Sequence, residues 1–467
     1  MLRSAARSPL KIEIREFLKL AVPLASAQVA QSATGFADAI MMGRMGADVL
    51  AAGGLAAIVF LSIMMTSSGI VMGVSPLIAE AVGAGQTDRI PQIARQGLWL
   101  SVLVAIPTMI LTGYFDRWMS QAGQAETIIQ LANSYLDIML WGLFPAIGFA
   151  ALRATVSALS QARPVMFIVV AGTAFNIAGN YVLGFGKFGF PRLELAGLAL
   201  SSVIALWGMF IALALYVLLN SKLKNYRIFQ DLHQVRSQIL WELVWMGVPI
   251  GLFSGLEIGF FLVITFWMGT LGTETLAAHQ IVFQTIMVVF MVPLGISYAT
   301  SVRVGQAFGR RDLLGIQRAV GVSMSLSSVF MLAVSIVFLL FPKQIVGIYL
   351  DVQNPANAAI VSIALSLLQV AAIAQVLDGL QKAVYGALQG LQDTQIPMLL
   401  NVLGFWGVGL SMGYLLGFRL GWSGVGLWMG QSIAIASVAG LFLWRLRHLV
   451  AQSKQRGFHD RFGTSDR

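Results

Sequence analysis

The 467-residue sequence contains no cysteine, only 11% charged residues and four scattered histidines. Without cysteine, disulfides, thiolate nucleophiles and sulfur-ligated metals are excluded. No P-loop, zinc-protease or serine-triad pattern is present either. We therefore expect neither an enzyme nor an ATP-driven pump, and we expect no cofactor.

Hydrophobic residues, by contrast, make up 57% of the chain, and the mean hydropathy is +0.80. Apolar segments long enough to cross about 30 Å of hydrocarbon recur along the whole length. They are continuously apolar, which favours helices over the alternating strands of outer-membrane barrels. No small-residue cleavage site follows the first segment, so we expect it to act as its own insertion signal. The predicted fold class is all-α, a polytopic membrane protein with twelve transmembrane helices at about residues 17–40, 50–75, 93–115, 130–155, 163–185, 196–219, 240–267, 275–301, 316–341, 358–388, 395–417 and 424–446.

The formal net charge is +10, and most of the 30 lysines and arginines fall in loops on one side of these segments. Loops rich in lysine and arginine stay in the cytoplasm. The pattern predicts a multi-pass protein of the cell inner (cytoplasmic) membrane with both termini in the cytoplasm. The membrane topology thus explains the basic charge, and we expect no nucleic acid partner. A secondary interpretation is that the basic residues contact membrane lipid.

The chain also contains an internal repeat. An offset of 226 residues aligns Val22-Pro23 with Val248-Pro249, and the same register continues without gaps. Further matches in that register pair Met42, Gly43, Gly46, Leu50, Ala51 and Ala52 with Met268, Gly269, Gly272, Leu276, Ala277 and Ala278. Two parallel halves of six helices suit a transporter that opens to each side alternately, whereas duplication that merely enlarges a bundle is the alternative.

The repeat sets the predicted domains. We expect an N-lobe at residues 1–219, a polar cytoplasmic linker at 220–238, a C-lobe at 239–450 and a polar C-terminal tail at 451–467.

Three carboxylates, Asp38, Glu257 and Asp378, lie inside apolar segments. A charged side chain at the centre of a bilayer costs roughly 2.5 to 3.5 kcal/mol on insertion scales. Retention of three such acids predicts that they handle cations or protons. A buried acid of this kind can exchange a proton or metal cation for an organic cation, which is an antiport cycle.

In the N-lobe, Asp38 has potential partners in Asn176 and Asn180, which share one face of the fifth helix. Two amides and a carboxylate suit a hard cation such as Na⁺, or a proton relay. Two alternatives remain: Asp38 pairs with Arg44 at the interface, and the asparagines only hydrogen-bond neighbouring helices.

In the C-lobe, Glu257 lies two turns beyond Pro249, and the repeat aligns it with Gln31, so the two halves differ in charge at this place. The alternative is that Glu257 is neutralised by protonation or by a neighbouring helix and has no functional role.

Asp378 is followed one turn later by Lys382, so an intrahelical ion pair is an alternative to a cation site. We expect the long stem of Lys382 to reach towards cytoplasmic water, which would leave the carboxylate facing the bundle.

Several motifs together resemble the multidrug and toxic compound extrusion (MATE) transporters, in particular their bacterial NorM-like branch. The resemblance covers about residues 16–447. The residues that carry it are Val22-Pro23, Asp38 with Met42-Gly43-Arg44, the run 176–189, residues 277–280, residues 301–305, and Asp378 with residues 386–390.

The resemblance implies twelve helices and the export of cationic, amphipathic small molecules in exchange for Na⁺ or H⁺. It implies an N-lobe ion site at Asp38, Asn176 and Asn180 and a C-lobe site at Glu257 and Asp378. His279, Gln280 and Gln31 are implied as cavity-lining residues. Where the family often has a tyrosine before the aspartate of helix 10, this chain has Ala374, which weakens a sodium site in the C-lobe.

The leading hypothesis is thus a secondary active multidrug efflux antiporter, working as a monomer. A flippase for lipid-linked precursors is the second hypothesis, although its cavity should be strongly basic. A channel or a membrane-embedded enzyme is a third, and it lacks a supporting motif.

Overall fold

The structure is a computed structural model that describes residues 9–121 and 126–456. Those residues form helices and connecting turns, with no strand among them. The α-helices are α1 (Pro9–Met45), α2 (Ala47–Val71), α3 (Val74–Gly83), α4 (Arg89–Thr112), α5 (Phe115–Gln121), α6 (Glu126–Ala158), α7 (Ala162–Gly179), α8 (Glu194–Leu219), α9 (Ser221–Lys224), α10 (Ser237–Thr270), α11 (Thr273–Gly309), α12 (Leu313–Leu340), α13 (Pro342–Gly347), α14 (Ala358–Gly390), α15 (Gln395–Asn401), α16 (Leu410–Tyr414) and α17 (Ser423–Arg456). A 3₁₀ turn, Pro355–Asn357, precedes α14, and π-helical segments occur at Asn180–Gly184, Val402–Gly409 and Leu415–Arg419.

Eleven helical stretches of the described residues are long and apolar enough to cross a membrane. They coincide with the second to twelfth predicted spans. The first predicted span is α1, whose 37 residues correspond to about 55 Å. This helix is long enough to cross, but its glutamines, serines and aspartate make it less apolar than the other eleven. The prediction of an all-α membrane protein is confirmed, and its twelve-helix count is consistent with these helices.

Several helices are longer than predicted because their ends carry charged residues that lower hydropathy without breaking a helix. The helix α1 begins at Pro9, and α11 reaches Gly309. The helix α17 continues to Arg456, so the predicted polar tail begins as helix, and its remainder, residues 457–467, lies outside the described part of the chain. The short helices α5 and α13 and the π-helical segments were not predicted.

The repeat is visible in the backbone. Gly46 (φ 138°, ψ 162°) separates α1 from α2, and Gly272 (φ 122°, ψ 160°) separates α10 from α11 in almost the same conformation. L-residues with a Cβ rarely adopt such angles, so both turns favour glycine. The two turns are 226 residues apart, as the sequence alignment predicts.

A second matched pair lies later in each half. Gly197 of α8 packs against the backbone of Leu183, and Gly426 of α17 packs against the backbone of Leu416. A side chain at either glycine would overlap that backbone, so the close approach needs the missing Cβ. Leu183 and Leu416 lie in corresponding π-helical segments, Asn180–Gly184 and Leu415–Arg419.

The chain divides into two compact units. The first comprises Met1–Ala25 and Leu256–Arg467, and the second comprises Ser26–Gly255. The division therefore falls within α1 and within α10, a few residues after Pro23 and Pro249. The two units are defined by compactness, whereas the predicted lobes are defined by the sequence repeat. The units therefore do not test the lobe boundaries, which stay a prediction.

In the unit Ser26–Gly255, the predicted linker is packed against α4. Trp99 donates its indole N–H to the carbonyl of Leu232 (2.7 Å), and Gln96 donates to the carbonyl of Gln234 (2.9 Å). Ile228 is buried in the same hydrophobic core as the helices. The linker is thus part of a folded surface in this unit.

In the other unit, α14 packs closely on α11 and α12. A Cβ on Gly386 would meet the Ser297 carbonyl oxygen, and Ser327 donates to the carbonyl of Gly379 (2.8 Å). Small residues on α14 therefore allow α11 and α12 to approach it closely.

In the same unit, Arg303 of α11 binds both carboxylate oxygens of Glu13 of α1 (2.9 and 2.6 Å). This pair lies near the cytoplasmic end predicted for α11.

Candidate cation sites

The N-lobe acid Asp38 accepts a hydrogen bond from the side-chain amide of Asn180. The same amide group lies 3.3 Å from Oδ1 of Asn176. Asp38 is half-buried on α1, and both asparagines are buried. The structure thus brings the three predicted residues together within the unit Ser26–Gly255.

The helix α8 fixes Asn176 on its other side. The amide of Asn176 donates to the Ser202 hydroxyl (3.0 Å), and Ser201 donates to the Asn176 carbonyl (3.0 Å). Asn176 therefore does hydrogen-bond a neighbouring helix, as one of the alternatives for the asparagines proposed. Neither serine was singled out from the sequence, because a serine in an apolar helix gives no distinctive signal.

Asn180 differs from Asn176 because its Oδ1 is buried with no hydrogen-bond partner in the described chain. Asn180 is also the first residue of the π-helical segment Asn180–Gly184, and such segments often occur at functional sites. A free amide oxygen beside a carboxylate is the kind of hard-oxygen pair that suits Na⁺. Within residues 9–121 and 126–456, no ion pair joins Asp38 to Arg44, so that alternative is not what the structure contains.

The C-lobe acid Glu257 on α10 forms an ion pair with Lys382 on α14. The lysine Nζ lies 2.6 Å from Oε1 and 2.7 Å from Oε2. The side chains are 3% exposed for Lys382 and 13% exposed for Glu257. The expectation that Lys382 extends to cytoplasmic water is therefore wrong, since the Glu257 carboxylate on α10 holds the buried ammonium group instead.

Asp378 lies one turn before Lys382 and is buried on the same face of α14. It is within electrostatic range of both Lys382 and Glu257. The structure therefore brings the two predicted C-lobe acids into one cluster and adds a basic residue to it.

The polar face of α14 extends beyond the predicted residues. Gln375 and Gln381 are buried there, and both amide atoms of Gln381 lack a hydrogen-bond partner among the described residues. Ala374, at the position of the family tyrosine, is buried as well. Gln375 and Gln381 were not singled out from the sequence, although their helical spacing from Asp378 is a signal that could have identified them.

His279 occupies a packed aromatic contact. Trp428 donates its indole N–H to Nδ1 of His279 (3.1 Å), and Nε2 lies 2.9 Å from the Thr265 hydroxyl. That hydroxyl donates to the Phe261 carbonyl (2.9 Å), so the imidazole is the donor towards Thr265. Protein groups thus use both ring nitrogens, and Phe283 stacks on the ring.

Gln280 and Gln31 are both exposed, on α11 and α1 respectively. A cavity-lining role for these two residues and for His279 stays a prediction. No group of three or more histidine, aspartate or glutamate side chains is arranged to hold a metal ion in the described ranges. Each predicted Na⁺ site contains only one or two acidic side chains, and the N-lobe site also depends on amide oxygens. The lack of a group of three acidic or histidine side chains in those ranges does not test these sites, and they stay predictions.

Comparison with protein families identifies two matching segments. A family model described as MatE matches residues 23–182 and 249–415. The starts of these segments are 226 residues apart, like the repeat described above.

Curated relatives match over nearly the full length. The probable multidrug resistance protein NorM of Synechocystis sp. is 52% identical over 448 residues, which cover 96% of this chain and 97% of that protein. The protein of the same name from Synechococcus sp. is 50% identical over 441 residues, covering 94% of this chain and 95% of that protein.

Among solved structures, a crystal structure of MATE in complex with MaL6 has a TM-score of 0.86 at 20% sequence identity. The match covers 95% of this chain and 97% of the other. At this level of identity the likeness concerns the fold alone.

Proposed function

Because the chain belongs to the MatE family, we propose that it is a secondary active multidrug efflux antiporter that exports organic cations in exchange for Na⁺ or H⁺ by alternating access. The curated relatives are named multidrug resistance proteins, and the chain is a transporter rather than an enzyme. We further propose that it works as a monomer in the cell inner membrane, with both termini in the cytoplasm.

The Asp38–Asn180 pair carries this proposal. A carboxylate in an apolar helix is costly, yet here it lies beside an amide with a buried, unpartnered oxygen. Such a pair offers two oxygens to a visiting Na⁺, or a protonatable acid to a proton. We assign Asp38, Asn176 and Asn180 to ion coupling, and Glu257 with Asp378 to binding of the cation that is exported.

The acids also favour this proposal over a flippase for lipid-linked precursors. Such substrates carry phosphate groups, which bind to arginine and lysine side chains. In the C-lobe cluster the charge of Lys382 is already used by Glu257, and Asp378 adds a further acid. The cluster therefore suits a positively charged substrate.

Transport by the purified chain in lipid vesicles tests the proposal. Efflux of a fluorescent organic cation is measured under a Na⁺ gradient and under a proton gradient, each imposed separately. We expect one of the two gradients to accelerate efflux, and we expect Asp378→Asn and Glu257→Gln each to impair it without preventing insertion. Efflux that ignores both gradients would contradict antiport, and wild-type export by both variants would remove the C-lobe site.

A further inference from the structure

We propose that Lys382 is a tethered cation that fills the organic-cation site of the C-lobe, so that a substrate ammonium group binds by displacing the lysine from Glu257. This inference rests on the proposed export of organic cations and assigns a residue that determines which cation the site accepts.

The ion pair supplies the first argument. The Lys382 ammonium contacts both oxygens of Glu257 at 2.6 and 2.7 Å, in a place that is almost closed to solvent. Charge-assisted hydrogen bonds of this length are strong, and a buried charge needs such compensation. Any cation that is to bind Glu257 must therefore take the place of the lysine head group.

The surroundings of the ammonium group supply the second argument. The Lys382 Nζ lies 4.9 Å from the ring centroid of Phe290 on α11. A carboxylate on one side and an aromatic face on another are the groups that bind organic ammonium ions. Na⁺, in contrast, prefers several oxygen ligands. The lysine head group thus occupies a place with the chemistry of an organic-cation site.

Asp378 gives the displaced lysine a second position. It lies one turn earlier on the same face of α14, is buried, and is within electrostatic range of Lys382 and Glu257. A change of side-chain rotamer moves the Lys382 ammonium from Glu257 towards Asp378. Each carboxylate then has one positive charge beside it, the substrate on Glu257 and the lysine on Asp378, and the cluster needs no Na⁺ to balance it.

Binding of ethidium to the full-length protein in detergent tests the inference, with fluorescence anisotropy as the readout and with either NaCl or N-methylglucamine chloride present. We expect Lys382→Met to bind ethidium at least tenfold more tightly than wild type. Na⁺ should weaken binding in this variant but not in wild type, because the free carboxylate now attracts small cations. Adding Glu257→Gln to Lys382→Met should abolish both effects, the tighter binding of ethidium and its sensitivity to Na⁺.

Lys382→Arg keeps the positive charge. It therefore provides a test in which Glu257 retains a partner, unlike in Lys382→Met. Arginine binds a carboxylate by two parallel hydrogen bonds, so it should compete better for Glu257 and weaken ethidium binding at least threefold. Equal affinity in wild type, Lys382→Met and Lys382→Arg would overturn the inference, as would a gain that survives Glu257→Gln. If wild-type vesicles export no organic cation at all, the proposed function fails, whereas normal export with unchanged affinities in these variants refutes only the role of Lys382.

Discussion

Gly247 of α10 lies against the backbone of α2 so closely that a methyl group on it would overlap the carbonyl oxygen of Ile70. Backbone atoms cannot move aside as a flexible side chain can. The contact therefore fixes the distance between the two helices within their unit.

Gly247→Ala should accordingly destabilise the protein by about 3 kcal/mol, the upper end of the usual cost of overpacking. Thermal unfolding in detergent measures the effect. Gly208→Ala is the matched control, since nothing lies within 4 Å of a Cβ there. That substitution should be neutral or slightly stabilising, and equal melting temperatures of the two variants would refute the packing argument.

The two repeat-related turns allow a paired test of backbone strain. Gly46→Ala and Gly272→Ala should each cost about 1 to 3 kcal/mol, because both positions have positive φ. The costs should be similar, since the backbone angles are similar. Gly54→Ala, in open space with an ordinary helical φ, is the control for unfolding measurements. If one of the two turns tolerates alanine without loss, the turns are not equivalent.

The N-lobe site predicts a graded loss of transport. Asp38→Asn should reduce gradient-driven efflux to the background of empty vesicles, because it removes the charge. Asn180→Ala should lower the efflux rate about tenfold or more, since a hydrogen bond to a charged group contributes roughly 1.5 to 3 kcal/mol. Vesicle efflux at equal protein content measures both.

The control for this series is Asp48→Asn, an exposed acid in the first turn of α2. It should export at the wild-type rate. A loss in this variant as large as in Asp38→Asn would mean that overall charge, and not the Asp38–Asn180 pair, governs efflux.

Trp428→Phe separates a packing role of His279 from a role in the cavity. The substitution keeps an aromatic ring but leaves the buried Nδ1 without a donor, which should cost about 1 to 3 kcal/mol of stability. If His279 only packs, efflux should stay unchanged. Trp444→Phe, at an exposed position, should alter neither quantity. A fall in efflux at equal amounts of folded protein in the vesicles, not seen in Trp444→Phe, would assign the Trp428–His279 pair to transport.

Much of the fold could be predicted from the sequence, because continuous apolar segments and basic loops report directly on membrane crossing. The family, the all-α membrane class and the assignment as a transporter were confirmed. The register of the repeat was also predictable, since glycines such as Gly46 and Gly272 are needed for backbone conformations that side chains exclude.

The candidate sites were predictable in part. Buried acids and asparagines stand out in apolar helices, which identified Asp38 and Asn180. The partner of Lys382 was missed because its spacing to Asp378 suggested a contact within one helix. Only the folded chain, which brings Glu257 of α10 within reach of α14, determines that the ammonium group binds Glu257 instead. Contacts between distant segments have no local signature in a single sequence.

The place of the extra residues in the second half has a consequence for how this membrane protein tolerates insertions. More residues separate the Ala-Leu pair from the following tyrosine in the second half (Ala387 to Tyr414) than in the first (Ala158 to Tyr181). The extra residues lie before the next helix begins, because α6 ends at Ala158 whereas α14 continues to Gly390, and the connection after α14 is one residue longer. From the first residue of that next helix to the tyrosine, at residues 162–181 and 395–414, the two halves have the same length. A repeat unit can thus gain residues at a connection and keep the length of the helix that crosses the membrane.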